Sequence, residues 1–309
     1  MGSAFVVLNP VAGNSDPSLI RNAVERRLGG RGWTYKVYET TGRERIAEIV
    51  RAALKRGFEV VIAAGGDGTV SGVAGGLVHT GIPLGIIPAG TGNALARDLG
   101  IPLDLEEALN LLVGEHETRT IGIDAMQVGD RFFILNLGVG ISALAVRGTG
   151  HTEKRRLGRI AYVWAGLLEF LGFQPQRFTI AVDDRSCQFR ASEVMVLNSG
   201  GLGNPYVRWG PQVRPDDGQL DVYVVRARTA PDYLRLGWNM LLGQQKNDPS
   251  LQSLRAERSV TIRANRRLPV QGDGDLMGQT PVQVKVVPGA VRVIAPLAIE
   301  HRRPGSEGG

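Results

Sequence analysis

A chain of 309 residues, 43% of them hydrophobic, holds enough apolar material for one large or two ordinary folded domains, which excludes a disordered protein. Its single cysteine, Cys187, excludes a disulfide framework and a cysteine metal cluster and points to a reducing compartment. A net charge of +6 suits an anionic partner; no nucleic-acid motif accompanies it, so an anionic bilayer is expected and nucleic acid is not.

No apolar run reaches the roughly 20 residues of a membrane span. The N-terminus enters a strand pattern directly, without a signal peptide. A cytoplasmic protein is expected, with peripheral contact at the inner membrane face. Residues 4–8 read as a first buried strand, followed by Asn9-Pro10-Val11-Ala12-Gly13. Residues 18–28 have helical periodicity, with Leu19, Ile20, Val24 and Leu28 on one side. Residues 33–38 form a second strand, which ends near Thr40 and Thr41, and 45–56 a second helix, stopped by Gly57. A third strand, 60–64, ends abruptly in Gly65-Gly66-Asp67-Gly68-Thr69. The helix expected at 70–77 contains Gly72, Gly75 and Gly76. Each costs roughly 1 kcal/mol against alanine, so a packed neighbour or a ligand must pass close to this backbone. A fourth strand, 84–87, ends in Pro88-Ala89-Gly90-Thr91-Gly92-Asn93.

Strand and helix alternate to about residue 112, which predicts a parallel sheet with helices on both faces. Ligands in such folds sit beyond the carboxyl ends of the strands. Residues 9–13, Thr40, 65–69 and 90–93 all fall at such ends. Glycine turns and helix N-termini there present free N–H groups to anions.

Beyond about residue 120 the pattern changes to short strands joined by tight turns, at 128–131 and 183–186, with strands at 178–182, 188–197, 220–225, 260–263, 282–287 and 291–294. A second, mainly antiparallel β domain is expected, with helices at 160–171 and after Thr229-Ala230-Pro231-Asp232. The expected division is 1–120, 121–296 and a tail at 297–309.

GGDGT at 65–69 with GTGN at 90–93 resembles the diacylglycerol kinase catalytic-domain family, which includes bacterial diacylglycerol, sphingosine and ceramide kinases. GGDGT alone is shared with NAD kinases, but their S-T-P-T-G-S-T-A-Y-like segment is absent. The resemblance implies an α/β nucleotide domain of the NAD kinase/diacylglycerol kinase type with a parallel sheet, joined to a β-sandwich, with the site in the cleft between. It implies ATP and Mg²⁺, transfer of the γ-phosphate to a lipid hydroxyl at a membrane surface, and a homodimer. Asn9, Pro10, Val11, Ala12 and Gly13 match the family's N-P-x-x-G nucleotide segment, and Thr40 a threonine after the second strand. Gly65, Gly66, Asp67, Gly68 and Thr69 match the core motif; Gly90, Thr91 and Asn93 match the second turn.

Gln271-Gly272-Asp273-Gly274-Asp275 is similar to the family's D-G-E element, with aspartate in place of glutamate. Asp273 is the implied general base, and Asp275 the alternative or helper. On the residues alone, Asp-Gly is as well read as a turn between strands. Arg214 to Asp221 resembles a structural magnesium loop, in which Asp217 would ligate through its carboxylate and Arg214 and Gln219 through backbone oxygens. The bland reading is an acidic turn. The basic run Lys154-Arg155-Arg156 with Arg159 could lie on anionic headgroups or be a solvated loop.

The sequence departs from the pattern at Ser71-Gly72, where Asn-Glu is common, at Asn14, where a cation is common, and at Ala94, where an aspartate is common. GTGNALA at 90–96 is nearer the sphingosine and ceramide branch, yet 137–145 lacks an aspartate for a sphingoid amine. A lipid kinase is the leading reading; an NAD kinase-like enzyme and a non-catalytic lipid or nucleotide binder are the alternatives.

Overall fold

The computed structural model describes residues 2–13, 16–42, 44–148, 174–204, 207–210 and 212–297. The chain forms two compact units, Met1–Gly122 with Val291–Gly309, and Ile123–Ala290.

In the first unit β1 (Ser3–Leu8), α1 (Pro17–Val24), β2 (Thr34–Glu39), α2 (Ile46–Leu54), β3 (Val60–Gly65), α3 (Asp67–Leu77), β4 (Leu84–Pro88), α4 (Ala94–Asp98), α5 (Leu105–Leu112) and the start of β5 (Thr118–Val128) follow one another. The strands pair in parallel in the order β2-β1-β3-β4. Near the C-terminus Val293 pairs with Leu84, again in parallel. β3 is buried along its whole length, as an unbroken apolar run between helix layers must be. Asp16 and Asp104 start α1 and α5 by accepting first-turn N–H groups. The first helix is α-helical only to Val24 and closes as a π turn over Glu25–Gly29.

The glycines of α3 are explained by a packed neighbour. A Cβ on Gly72 would lie 2.9 Å from Ile46 Cβ, and one on Gly76 2.7 Å from Val50 Cβ. α2 lies directly on α3, and nothing larger than hydrogen fits between them at these points.

In the second unit come β6 (Arg131–Phe133), β7 (Asn136–Gly140), α6 (Ile141–Gly148), β8 (Gln176–Val182), β9 (Arg185–Ala191), β10 (Glu193–Leu197), β11 (Gly201–Asn204), β12 (Val207–Arg208), β13 (Leu220–Val225), α7 (Ala230–Leu241), β14 (Leu251–Ala256), β15 (Ser259–Ala264), β16 (Pro269–Gly272), β17 (Asp275–Gln279) and the first part of β18 (Val282–Pro296), whose residues from Val291 on belong to the first unit. One sheet runs β14-β13-β10-β7-β16-β17, antiparallel throughout. A second ladder runs β18-β15-β8-β9, also antiparallel. Val139, Val196, Val222 and Val270 from the first meet Phe178, Ile180, Ile262 and Val284 from the second in one buried cluster. Inward side chains from two antiparallel sheets make the sandwich core.

Two expected strands differ. The run at 188–197 is two strands: β9 ends at Ala191 and β10 begins at Glu193 in the other sheet. The pair at 282–287 and 291–294 is one long strand, with Gly289 at φ +57 inside it. The basic run at 154–159, the helix at 160–171 and the tail beyond 297 lie outside the described residues. Among the described residues, no helix is long and apolar enough to cross a membrane.

Candidate active site

The first unit brings the ends of its four parallel strands together. Asn9, just past β1, donates from its backbone to Ala64 O at 2.9 Å and from Nδ2 to Thr69 Oγ1 at 3.1 Å. Its Oδ1 accepts Val11 N–H, which folds 9–13 into a tight turn. Gly13 closes that turn at φ +58, and a Cβ there would sit 2.3 Å from Ala89 O. Thr40 is buried and its N–H reaches Leu8 O at 2.9 Å, which fixes it at the end of β2.

The two glycine turns touch backbone to backbone. A Cβ on Gly90 would stand 2.4 Å from Gly66 Cα. Asp67 spans the turns: its Oδ1 accepts Ala94 N–H at 2.6 Å. Burial pushes the Asp67 carboxyl up, while the N–H groups of Ala94 and Asn93 pull it back. Asn93 takes the left-handed conformation, φ 51, and its side-chain amide is tied to both the N–H and the carbonyl of Gly90. α3 starts at Asp67, so its first N–H groups lie at this junction. Gly68 and Thr91 are exposed on it. Two touching glycine turns at the start of an eleven-residue helix are an arrangement able to present N–H groups to an anion.

In the second unit the turn between β16 and β17 carries both candidate carboxylates. Asp273 is a left-handed residue, φ 49, and its oxygens accept the N–H groups of Ile134 (2.9 Å), Leu135 (3.1 Å) and Asn136 (2.8 Å). Its own N–H goes to Asn136 O. Asp275, two residues on, is exposed at the start of β17. Buried Gln271 braces the turn from behind, accepting Gly274 N–H at 3.0 Å and donating to Asn136 Oδ1 at 3.0 Å.

The expected metal loop lies in the same unit. Exposed Asp217 caps Gln219 N–H, and Arg214 pairs with Asp216. Behind the loop stands Asp124, 1% exposed, which the sequence reading missed. Its carboxylate accepts Gly218 N–H at 2.7 Å and Gly289 N–H at 2.8 Å. Burial pushes the Asp124 carboxyl up, the two N–H groups pull it down, and the charges of Asp217 and Asp216 push it up again. A cation beside Asp217 would relieve that repulsion, and the available donors are oxygens, as Mg²⁺ prefers. Among the described residues no three acidic, His or Cys groups converge on one metal position. The residues therefore fit an ion held by one carboxylate, backbone oxygens and water. The signal for Asp124 was present: a lone carboxylate between Ile123 and Ala125, in a strand whose neighbours are apolar.

A parallel α/β unit with paired glycine turns, followed by an antiparallel sandwich, defines the NAD kinase and diacylglycerol kinase fold class. Residues 3–127 match the diacylglycerol kinase catalytic domain, and residues 136–295 match the YegS C-terminal NAD kinase beta sandwich-like domain. The chain belongs to the diacylglycerol kinase catalytic-domain family and is a lipid kinase. A "Probable lipid kinase YegS-like" protein of Pseudomonas aeruginosa (strain UCBPP-PA14) is 31% identical over 92% of this chain and 91% of its own length. A diacylglycerol kinase of Bacillus subtilis is 26% identical over 91% of this chain and 92% of its own. A crystal structure of a diacylglycerol kinase from Bacillus anthracis superposes with a TM-score of 0.77 at 25% identity, covering 96% of this chain and 98% of that one.

Proposed function

We propose that the protein transfers the γ-phosphoryl group of ATP to the primary hydroxyl of a membrane lipid, with diacylglycerol as the first candidate acceptor. The contact of Gly66 with Gly90, tied by Asp67 to Ala94, carries this reading, because it brings two glycine turns and the start of α3 to one place, where backbone N–H groups can meet a phosphate. Residues 9–13, Thr40, 65–69 and 90–93 hold the nucleotide. The acceptor oxygen bonds to the γ-phosphorus, the bond to the β-phosphate oxygen breaks, ADP leaves, and the hydroxyl proton passes to a carboxylate of the 273–275 turn. Asp275 is assigned that proton because it is exposed, whereas both oxygens of Asp273 already receive backbone N–H groups. Asp217, with the backbone oxygens of Arg214 and Gln219, would hold Mg²⁺, which supplies charge neutralisation. The names of the relatives support diacylglycerol as acceptor.

Radiolabelled ATP with diacylglycerol, ceramide, a sphingoid base or NAD in parallel tests the assignment. Label in diacylglycerol supports it; label in NAD alone or in nothing overturns it. Gly90→Ala forces a methyl against Gly66 Cα and parts the two turns. Loss of about a hundredfold in nucleotide affinity is expected, read by calorimetry; unchanged affinity would remove the paired turns from the mechanism.

A further inference from the structure

α7 presents apolar side chains on two opposite sides. On one side Leu236 is buried, and Tyr233 and Met240 pack in the same cluster. On the other, Leu234, Trp238, Leu241 and Leu242 are 75%, 63%, 55% and 53% exposed. At about 100° per residue these four fall within one arc of roughly 100°. The other large exposed hydrophobic residues among those described stand singly along the sequence, as is ordinary for a protein surface. Four within nine residues is a patch.

The helix is held rigidly in this orientation. Thr229 and Asp232 close a capping box at its start. Arg235 reaches Asp248 and Ser250, and Asn239 reaches Asp248, which is buried. The outward stripe is therefore displayed by an anchored helix and not by a fraying one.

Charge at its ends indicates what covers it. Arg226 and Arg228 are exposed before the helix and Lys246 after it. The one carboxylate on the segment that could oppose them, Asp232, is occupied by the N–H groups of Arg228 and Thr229 and the Thr229 hydroxyl. A second copy docked antiparallel on the same stripe would set Lys246 against Arg226 and Arg228, like against like. Leucines around a tryptophan, with cations at both ends, match the interface of an anionic bilayer.

We propose that the outward face of α7 seats the protein on an anionic membrane, with Leu234, Trp238, Leu241 and Leu242 entering the headgroup–acyl boundary and Arg226, Arg228 and Lys246 on the headgroups. The lipid kinase reading gives this contact its purpose, but the binding itself does not depend on turnover. The full chain is sedimented with vesicles of phosphatidylcholine, with and without phosphatidylglycerol. Binding to the anionic vesicles is expected, weakened by salt. The double variant Leu234→Ser/Trp238→Ser is expected to lower the partition coefficient about tenfold or more, with the same thermal midpoint. Vesicles should shift tryptophan emission to the blue, and Trp238→Phe should remove most of that shift. Unchanged binding by the double variant overturns the proposal. So does a wild-type dimer that the same variant dissociates. Normal α7-dependent binding by a chain that phosphorylates no lipid would leave this proposal standing and remove the kinase reading instead.

Discussion

At Asp183 and at Asp273 the chain makes the same turn twice. Both aspartates are left-handed, φ 51 and φ 49. Each donates its N–H to a carbonyl across the turn, Ser259 O and Asn136 O. Each carboxylate then accepts three consecutive N–H groups ending at that same residue: Glu257, Arg258 and Ser259 in one case, Ile134, Leu135 and Asn136 in the other. A non-glycine residue in this conformation costs about 1–2 kcal/mol, which the charge-assisted bonds offset. The turns diverge afterwards. Asp184 is ion-paired with Arg258 on an ordinary hairpin. The second turn continues through Gly274, held by Gln271, to Asp275, which has no salt bridge among the described residues. The shared part is a folding device; on the proposed assignment the proton acceptor, Asp275, is what the second copy adds.

The comparison breaks most sharply at Asp275. Asp275→Asn is expected to lower turnover by about 10²- to 10⁴-fold and to leave the thermal midpoint in place. Asp184→Asn, its counterpart in the other turn, should do neither. Kinetics with purified variants decide it: an active Asp275→Asn beside a well-folded but dead Asp273→Asn would reverse the two roles.

The pins themselves come next. Asp273→Ala orphans three part-buried N–H groups and should cost about 3 kcal/mol in urea unfolding, whereas Asp183→Ala, whose Glu257 and Arg258 donors are exposed and pass to water, should cost about 1 kcal/mol. Only the first should also change kcat, since only that turn carries Asp275. Burial works against the charge on Asp183, but its three N–H donors outweigh it and hold the carboxyl below the usual range. Its contribution is therefore full above the unfolded-state value near ~3.9 and is lost as pH falls through the lower folded value. An Asp183→Ala curve that matched wild type at neutral pH would deny the pin.

Much of the first unit could be read directly. Buried parallel strands are continuous apolar runs, and glycine turns punctuate them, so β3, β4 and the paired turns stand out in the sequence. Thr229-Ala230-Pro231-Asp232 announced α7 through its capping chemistry. What stayed hidden depends on long-range partners. The split of 188–197 at Ser192 leaves no local mark, because both halves have strand character and only the pairing of Glu193 with Val225 and Gly140 reveals the change of sheet. Asp183 and Asp273 look like plain turn residues until segments 74 and 137 positions away place their N–H groups on them. Gln271, between Val270 and Gly272, carries no sign in the sequence that its side chain braces the turn from behind.

Glu193 sharpens the comparison by inverting it. Its carboxylate accepts Ser142 N–H at 2.9 Å and Ser142 Oγ–H at 2.5 Å, yet burial dominates and pushes its carboxyl up to about 7. With donors on both, Asp183 is held low and Glu193 is driven high, because one turn meets water and the other position lies inside the sheet. The sign follows from proton counting. Between the unfolded value near ~4.5 and the folded value of about 7, the native state binds more protons than the unfolded chain, so stability falls as pH rises through that window. The full loss is about 3 kcal/mol above it. Glu193→Gln keeps the acceptor for Ser142 and removes the titration. Its unfolding free energy should be flat across this window where wild type declines, and it should exceed wild type at alkaline pH. A wild-type curve with no such decline would mean that Glu193 keeps its charge inside the sheet, and burial would then lose to N–H donors in both places.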